Sequence, residues 1–129
     1  MNPKNDVSHL VERLEAFEER LGLSLQGLFA YRYNAYCTWQ DHGEVISGDE
    51  PRLTLSGEVV AAEKPAFGSG FYVVGVAYDS FDRVVRTRSD AFTGAYFLGF
   101  GVFSITIEIL GEAAELSRIR VYPQAYSHV

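Results

Sequence analysis

The sequence predicts a mostly β fold, an antiparallel two-sheet sandwich preceded by one N-terminal amphipathic α-helix. Three observations carry that expectation. After Gly22, apolar residues recur at every second position in several stretches. Those stretches are short and are separated by clusters of Gly, Pro, Asp and Ser, without the long crossovers that parallel strands need. Before Gly22 the apolar spacing is three and four instead. With 129 residues, 47% of them hydrophobic and 22% charged, the chain has the size and composition of one folded domain. A disordered tail or a Cys-stapled miniprotein would need a different composition.

Val7, Leu10, Leu14, Phe17 and Leu21 are spaced three, four, three and four apart, with Glu12, Arg13, Glu15, Glu18, Glu19 and Arg20 between them. This spacing predicts an amphipathic helix from about Asn5 to Leu21. Asn5 or Ser8 would cap its first amides, Asp6 suits the positive end of its dipole, and Gly22 ends it in a left-handed conformation. The domains expected are a helix over 1–22 and a β-sandwich over 23–129. The apolar stripe packs either on the chain's own sheet or on another chain. Val7, Leu10, Leu14, Phe17 and Leu21 are therefore a candidate interface for a protein partner or for self-association.

Phe29, Tyr31, Tyr33, Ala35, Cys37 and Trp39 then alternate with polar residues, as on a long half-buried strand. The expectation is that these rings face the core, with tyrosine hydroxyls at its rim. Asp41-His42-Gly43-Glu44 and Ser47-Gly48-Asp49-Glu50-Pro51 read as turns. A second strand carries Leu53, Leu55, Val59 and Ala61, where Gly57 marks a bulge or a close approach of backbones. Phe71 to Tyr78 is almost continuously apolar and is expected to be central and covered on both faces. Asp79 to Asp82 turns the chain into Arg83–Arg88, an edge or one-sided strand. Ser89 to Ala95 reads as a connection. Phe103, Ile105, Ile107 and Ile109 define the next strand within 101–110, and Arg118–Tyr122 the last, closed by Pro123.

From Leu53 onward, Leu55-Ser56-Gly57-Glu58-Val59-Val60, the strand Phe71 to Asp79, Arg83-Val84-Val85, Phe103-Ser104-Ile105-Thr106-Ile107 and Ile119-Arg120-Val121-Tyr122 occur in an order that resembles FxLyD-like and related immunoglobulin-type sandwich modules of bacterial proteins. Where those modules often carry an Asp-x-x-Gly-type turn, this chain has Ser80-Phe81-Asp82-Arg83. The resemblance covers about the last three-fifths of the chain. It implies an immunoglobulin-like, non-catalytic domain with no catalytic residues to carry over.

Chemistry finds little purchase in the residues themselves. Seventeen Asp and Glu against eleven Lys and Arg give a net charge of −6, which disfavours nucleic acid as a partner. The lone Cys37 reads as a small buried hydrophobe, and no apolar run is long enough for a membrane span. Lacking a secretory leader, the chain is expected to be cytoplasmic. Gly68-Ser69-Gly70 is not a nucleophile elbow, and His9, His42 and His128 lack zinc-ligand spacing. Asp41, Glu44, Asp49 and Glu50, like Asp79, Asp82 and Asp90, do not match a calcium loop. Gly94, Gly99 and Gly101 run into a strand instead of a helix, so no phosphate cradle follows. No cofactor, metal or catalytic residue is expected. Arg83, Arg86, Arg88, Arg118 and Arg120 are expected to make cross-strand ion pairs with acids such as Glu58 and Glu108. Two function classes lead, a non-catalytic interaction or structural module and a small-ligand or glycan binder using Tyr31, Tyr33 and Trp39 as an aromatic platform, with an enzyme whose site assembles from distant residues as a third.

Overall fold

The computed structural model describes residues 5–61, 70–93, 97–109 and 116–126. Two sheets face each other across one apolar core. The three-stranded sheet has the order β2 (Leu23–Asp41), β3 (Glu44–Ala61), β6 (Phe100–Glu108). The four-stranded sheet has the order β1 (Val11–Arg13), β7 (Leu116–Ala125), β4 (Gly70–Asp79), β5 (Val84–Thr93). One short helix, α1 (Glu15–Leu21), lies against β7 and the start of β2. Leu25, Leu53, Leu55, Phe71, Phe103, Ile105, Ile107 and Ile119 fill the space between the layers with essentially no exposure.

The pairing follows the immunoglobulin plan, in which A, B and E are neighbours in one sheet and F and C in the other, with C′ beside C in the variable type. β2, β3 and β6 pair as A, B and E, while β7, β4 and β5 pair as F, C and C′. Beside β7, where G would stand, the chain places β1, which runs parallel to β7 through Val11↔Ile119, Glu12↔Arg120 and Arg13↔Val121. As expected, β4 is central and buried on both faces, and β5 is an edge strand.

The single helix expected over Asn5 to Leu21 is replaced by four pieces. Asn5–Val7 pairs with the edge of β2, Val7 N donating to Ala30 O at 2.9 Å and Arg32 N to Asn5 O at 2.8 Å. A 3-10 turn at Ser8–Leu10, strand β1 and the seven-residue α1 follow. Local side chains oppose a helix here: Asp6 Oδ1 accepts from Ser8 N at 2.9 Å, and Ser8 Oγ from Ala30 N at 3.0 Å. The edges of β2 and β7 also offer backbone bonds that a continuous helix would leave unmade. Gly22 does end α1 in the left-handed region, at φ +66°.

A second correction concerns which face the aromatic row occupies. At the start of β2 the core-facing residues are odd-numbered: Leu23 and Leu25, opposite Ala61 and Val59. Between Gln26 and Phe29 the register shifts by one residue at a β-bulge, where Gly27 has φ +58°. Beyond it the core-facing residue is even-numbered, Ala30 opposite Leu55. A one-residue slip transfers every later side chain to the other face. Phe29, Tyr31, Tyr33, Ala35, Cys37 and Trp39 therefore stand on the outer face of the sheet, not toward the core. Opposite the bulge, Gly57 is the close approach expected of it: a Cβ there would meet Leu28 Cδ2 at 2.8 Å, Phe103 Cζ at 2.9 Å and Gln26 O at 3.0 Å.

Three of the expected chain breaks are strand. Ser47–Pro51 belongs to β3, Ser89–Thr93 to β5, and Pro123 lies inside β7 opposite Val73. Residues 94 and 95 of the expected Ser89–Ala95 connection fall outside the described residues. Both prolines sit where a missing amide costs no ladder bond. Pro51 O accepts from Ile109 N at 3.0 Å, so its nitrogen faces the side where β6 has just ended. Val121 O accepts from Leu14 N at 3.2 Å, so the nitrogen of Pro123 faces the side where β1 has ended. The Asp41–Glu44 turn forms as expected, with His42 at φ +50° and Gly43 at φ +83°, the left-handed pair that suits a two-residue hairpin.

Candidate functional site

The surface that sets this molecule apart is the far half of the β2–β3 hairpin. β6 pairs with β3 only as far as Arg52, with a last bond at Pro51, and Asn5 closes the β2 edge at Arg32. From Asn34↔Pro51 to Asp41↔Glu44 the two strands pair with each other, and no further strand joins them among the described residues. The result is a ribbon that leaves the sandwich. Trp39 is 47% exposed, Tyr36 72% and Val45 65%. Tyr36 and Val45 lie on the face that continues from the core, Trp39 on the opposite one. The Trp39 ring reaches over Gly48, where a Cβ would meet Trp39 Cη2 at 4.0 Å.

At the base of the ribbon a cleft of about 630 Å³ wraps the β3 edge, lined by Trp39, Asp49, Glu50, Pro51, Arg52 and Ile109 among others. Cys37, Glu50 and Arg52 form a small cluster on its outer side. Arg52 Nη2 lies 3.1 Å from Glu50 Oε2 and 3.2 Å from Cys37 Sγ, and the thiol lies 3.3 Å from the same carboxylate oxygen. The Glu50 hydrogen bond, then Cys37, raise the Arg52 guanidinium above its ordinary pKa. Two neighbours on β3 thus occupy Cys37, which is half-buried on the outer face and not in the core.

Nearer the sandwich, Phe29, Tyr31 and Tyr33 form a row of near-parallel rings with centroids 6.3 and 6.4 Å apart. Asn5 Nδ2 donates to the Tyr31 hydroxyl at 3.3 Å and Thr54 Oγ1 to that of Tyr33 at 3.3 Å. Of the platform residues expected from sequence, the structure brings Tyr31 and Tyr33 together. Trp39 shares their face but lies six residues farther on, roughly 20 Å along the strand.

The N-terminal stripe is placed against the chain's own sandwich. Val7 is buried in the core, Leu10 and Leu21 pack against it, Leu14 is half-buried and Phe17 meets Tyr122 at 4.9 Å. Glu18, 3% exposed, accepts from Arg13 Nη2 at 2.7 Å and from Leu25 N at 2.7 Å, which ties α1 to both β1 and β2. The five arginines considered together each face an acid: Arg83 with Asp79, Arg86 and Arg88 with Glu108, Arg118 with Asp82, Arg120 with Glu12. The Asp79 carboxylate holds its turn by accepting from Phe81 N and Arg83 N, both at 2.9 Å. Among the described residues no three His, Cys, Asp or Glu side chains gather as metal ligands, and no helix is long and apolar enough to cross a membrane. His9 lies in the 3-10 turn and His42 at the ribbon tip, while His128 falls outside the described residues.

No family model, curated protein or solved structure matches the chain. Its surface is left to speak for itself. Sequence reading missed Tyr36, Val45 and Asp49 because Ser47–Pro51 looked like a turn. The signal that could have found them is the two-residue Asp41–Glu44 hairpin, which obliges the residues on either side to pair.

Proposed function

We propose that the chain is a non-catalytic protein-interaction module that makes contact through the β2–β3 ribbon. The observation that carries this is the exposed aromatic and apolar surface of Asn34–Pro51, which adds nothing to the core. A two-stranded ribbon is marginal by itself, so exposing Trp39, Tyr36 and Val45 on one is costly unless something covers them. Tyr and Trp are the side chains that dominate protein contact surfaces. The resemblance to immunoglobulin-type modules supports the same class. A lone cysteine and an acidic composition suit a cytoplasmic setting.

The test is a photo-crosslinking residue placed at Trp39, with Val84 on exposed β5 as the control position. The purified captured protein should bind the intact chain, and Trp39→Ala should weaken that binding about tenfold or more while circular dichroism stays unchanged. Equal capture from Val84, or indifference to Trp39→Ala, would contradict the proposal. The near-parallel Phe29, Tyr31 and Tyr33 rings favour a second reading, a glycan or small ligand laid on that row. It is distinguished by retention on immobilised polysaccharide that Tyr31→Ala and Tyr33→Ala abolish and Trp39→Ala leaves intact.

A further inference from the structure

We infer that the free β3 edge at Val45–Asp49 takes an extended, basic segment of a partner chain as an added strand. This rests on the ribbon being the contact surface and names what it holds. Pro51 O faces the β6 side, and alternate residues of a strand present their N–H and C=O to the same side. The amides and carbonyls of Val45, Ser47 and Asp49 therefore face outward, in line with the place where β6 stops. Such a row is a template for strand addition.

Charge selects the occupant. Residues 34–51 contain Asp41, Glu44, Asp49 and Glu50 and no Lys or Arg, and with Glu50 paired to Arg52 at the base the ribbon stays acidic through Asp41, Glu44 and Asp49. That charge opposes a second copy, which would bring the same acids against themselves, and favours a cationic strand. The cleft at the base adds side-chain recognition, because it is lined from both faces of the ribbon as the alternating side chains of an added strand require. An arginine or lysine of the added strand directed to the Asp49 face would bring its head near that carboxylate, and one directed to the other face would lay its stem on Trp39. The opposite edge, along Asn34–Gln40, lacks this. The cleft beside it is lined by Asn5, Arg32, Tyr33, Asn34 and Pro51, with no acid.

The probe is an acetylated octapeptide of alternating arginine and valine, followed by the fluorescence of Trp39, the single tryptophan. Saturable binding is expected, with the alternating glutamate and valine peptide inert. Ser47→Pro, which removes an outward amide at an edge that tolerates proline, and Asp49→Lys should each weaken binding about tenfold or more with an unchanged circular dichroism spectrum. Binding that ignores Ser47→Pro overturns strand addition. A dimer of the chain alone, seen by sedimentation and lost in Ser47→Pro, overturns the basic segment as occupant. The two proposals fail separately. A crosslinked partner that depends on Trp39 but not on Ser47 leaves the contact surface standing and removes the edge pairing. Peptide binding without any Trp39-dependent partner does the reverse.

Discussion

At Gly57 the fold leaves no room for a side chain, and backbone is part of what blocks it. A methyl group there would lie within 3.0 Å of Leu28, of Phe103 and of the Gln26 carbonyl, and the last is backbone that cannot turn aside. Gly57→Ala should therefore destabilise the protein by about 1–3 kcal/mol in urea denaturation. Gly48→Ala, with only the Trp39 ring at 4.0 Å, should cost much less. Equal effects would mean that the bulge yields easily. The sequence reading recognised Gly57 as a special position but not its consequence for β2, because the extra residue sits on the other strand at Gly27. Alternation locates a strand and leaves open which face is buried when a bulge changes the parity midway.

At the scale of elements, the N-terminal segment behaves as part of the sandwich. Val7 lies in the core, β1 borders β7, and Glu18 joins α1 to both layers. A chain beginning at Leu23 should lose at least ~2 kcal/mol, the burial of Val7 alone being worth ~1.5–3 kcal/mol. Unchanged stability on chemical denaturation would show that the segment is only an appendage. The apolar spacing from Val7 to Leu21 predicted a single helix whose stripe packs on this chain's sheet or on another chain. It could not show that the surface consists of sheet edges, whose unpaired backbone groups draw the first half of the segment out of helix. The β4 and β6 strands were legible almost to the residue, because β4 is buried along nearly its whole length and β6 alternates cleanly between core and solvent.

For the whole molecule, acid is the natural stress, since its folded state holds carboxylates in their charged form. Asp79 is kept below its ordinary pKa of 3.8 by the Arg83 amide first, and Asp6 by the Ser8 side chain first. Glu108 lies below its ordinary 4.5 through its own amide first, with Arg88 and Arg86 adding to the effect. A carboxylate whose folded pKa is depressed contributes stability above its unfolded pKa, and that stability disappears as pH falls through the folded one. Stability should thus be insensitive to these three groups above about pH 5 and decline below about pH 4. In Asp79→Asn the acid decline should be shallower, measured as denaturation midpoint against pH; an identical decline would remove Asp79 from the cause. The same three-dimensional arrangement decides where the ribbon's aromatics go, and there the fluorescence of Trp39 is the sharpest reporter. With the bulge turning the β2 row outward, acrylamide should quench that indole readily and its emission should lie toward the red. Blue-shifted emission with little quenching in the monomer would place Trp39 in the core, and the outward ribbon would have to be abandoned.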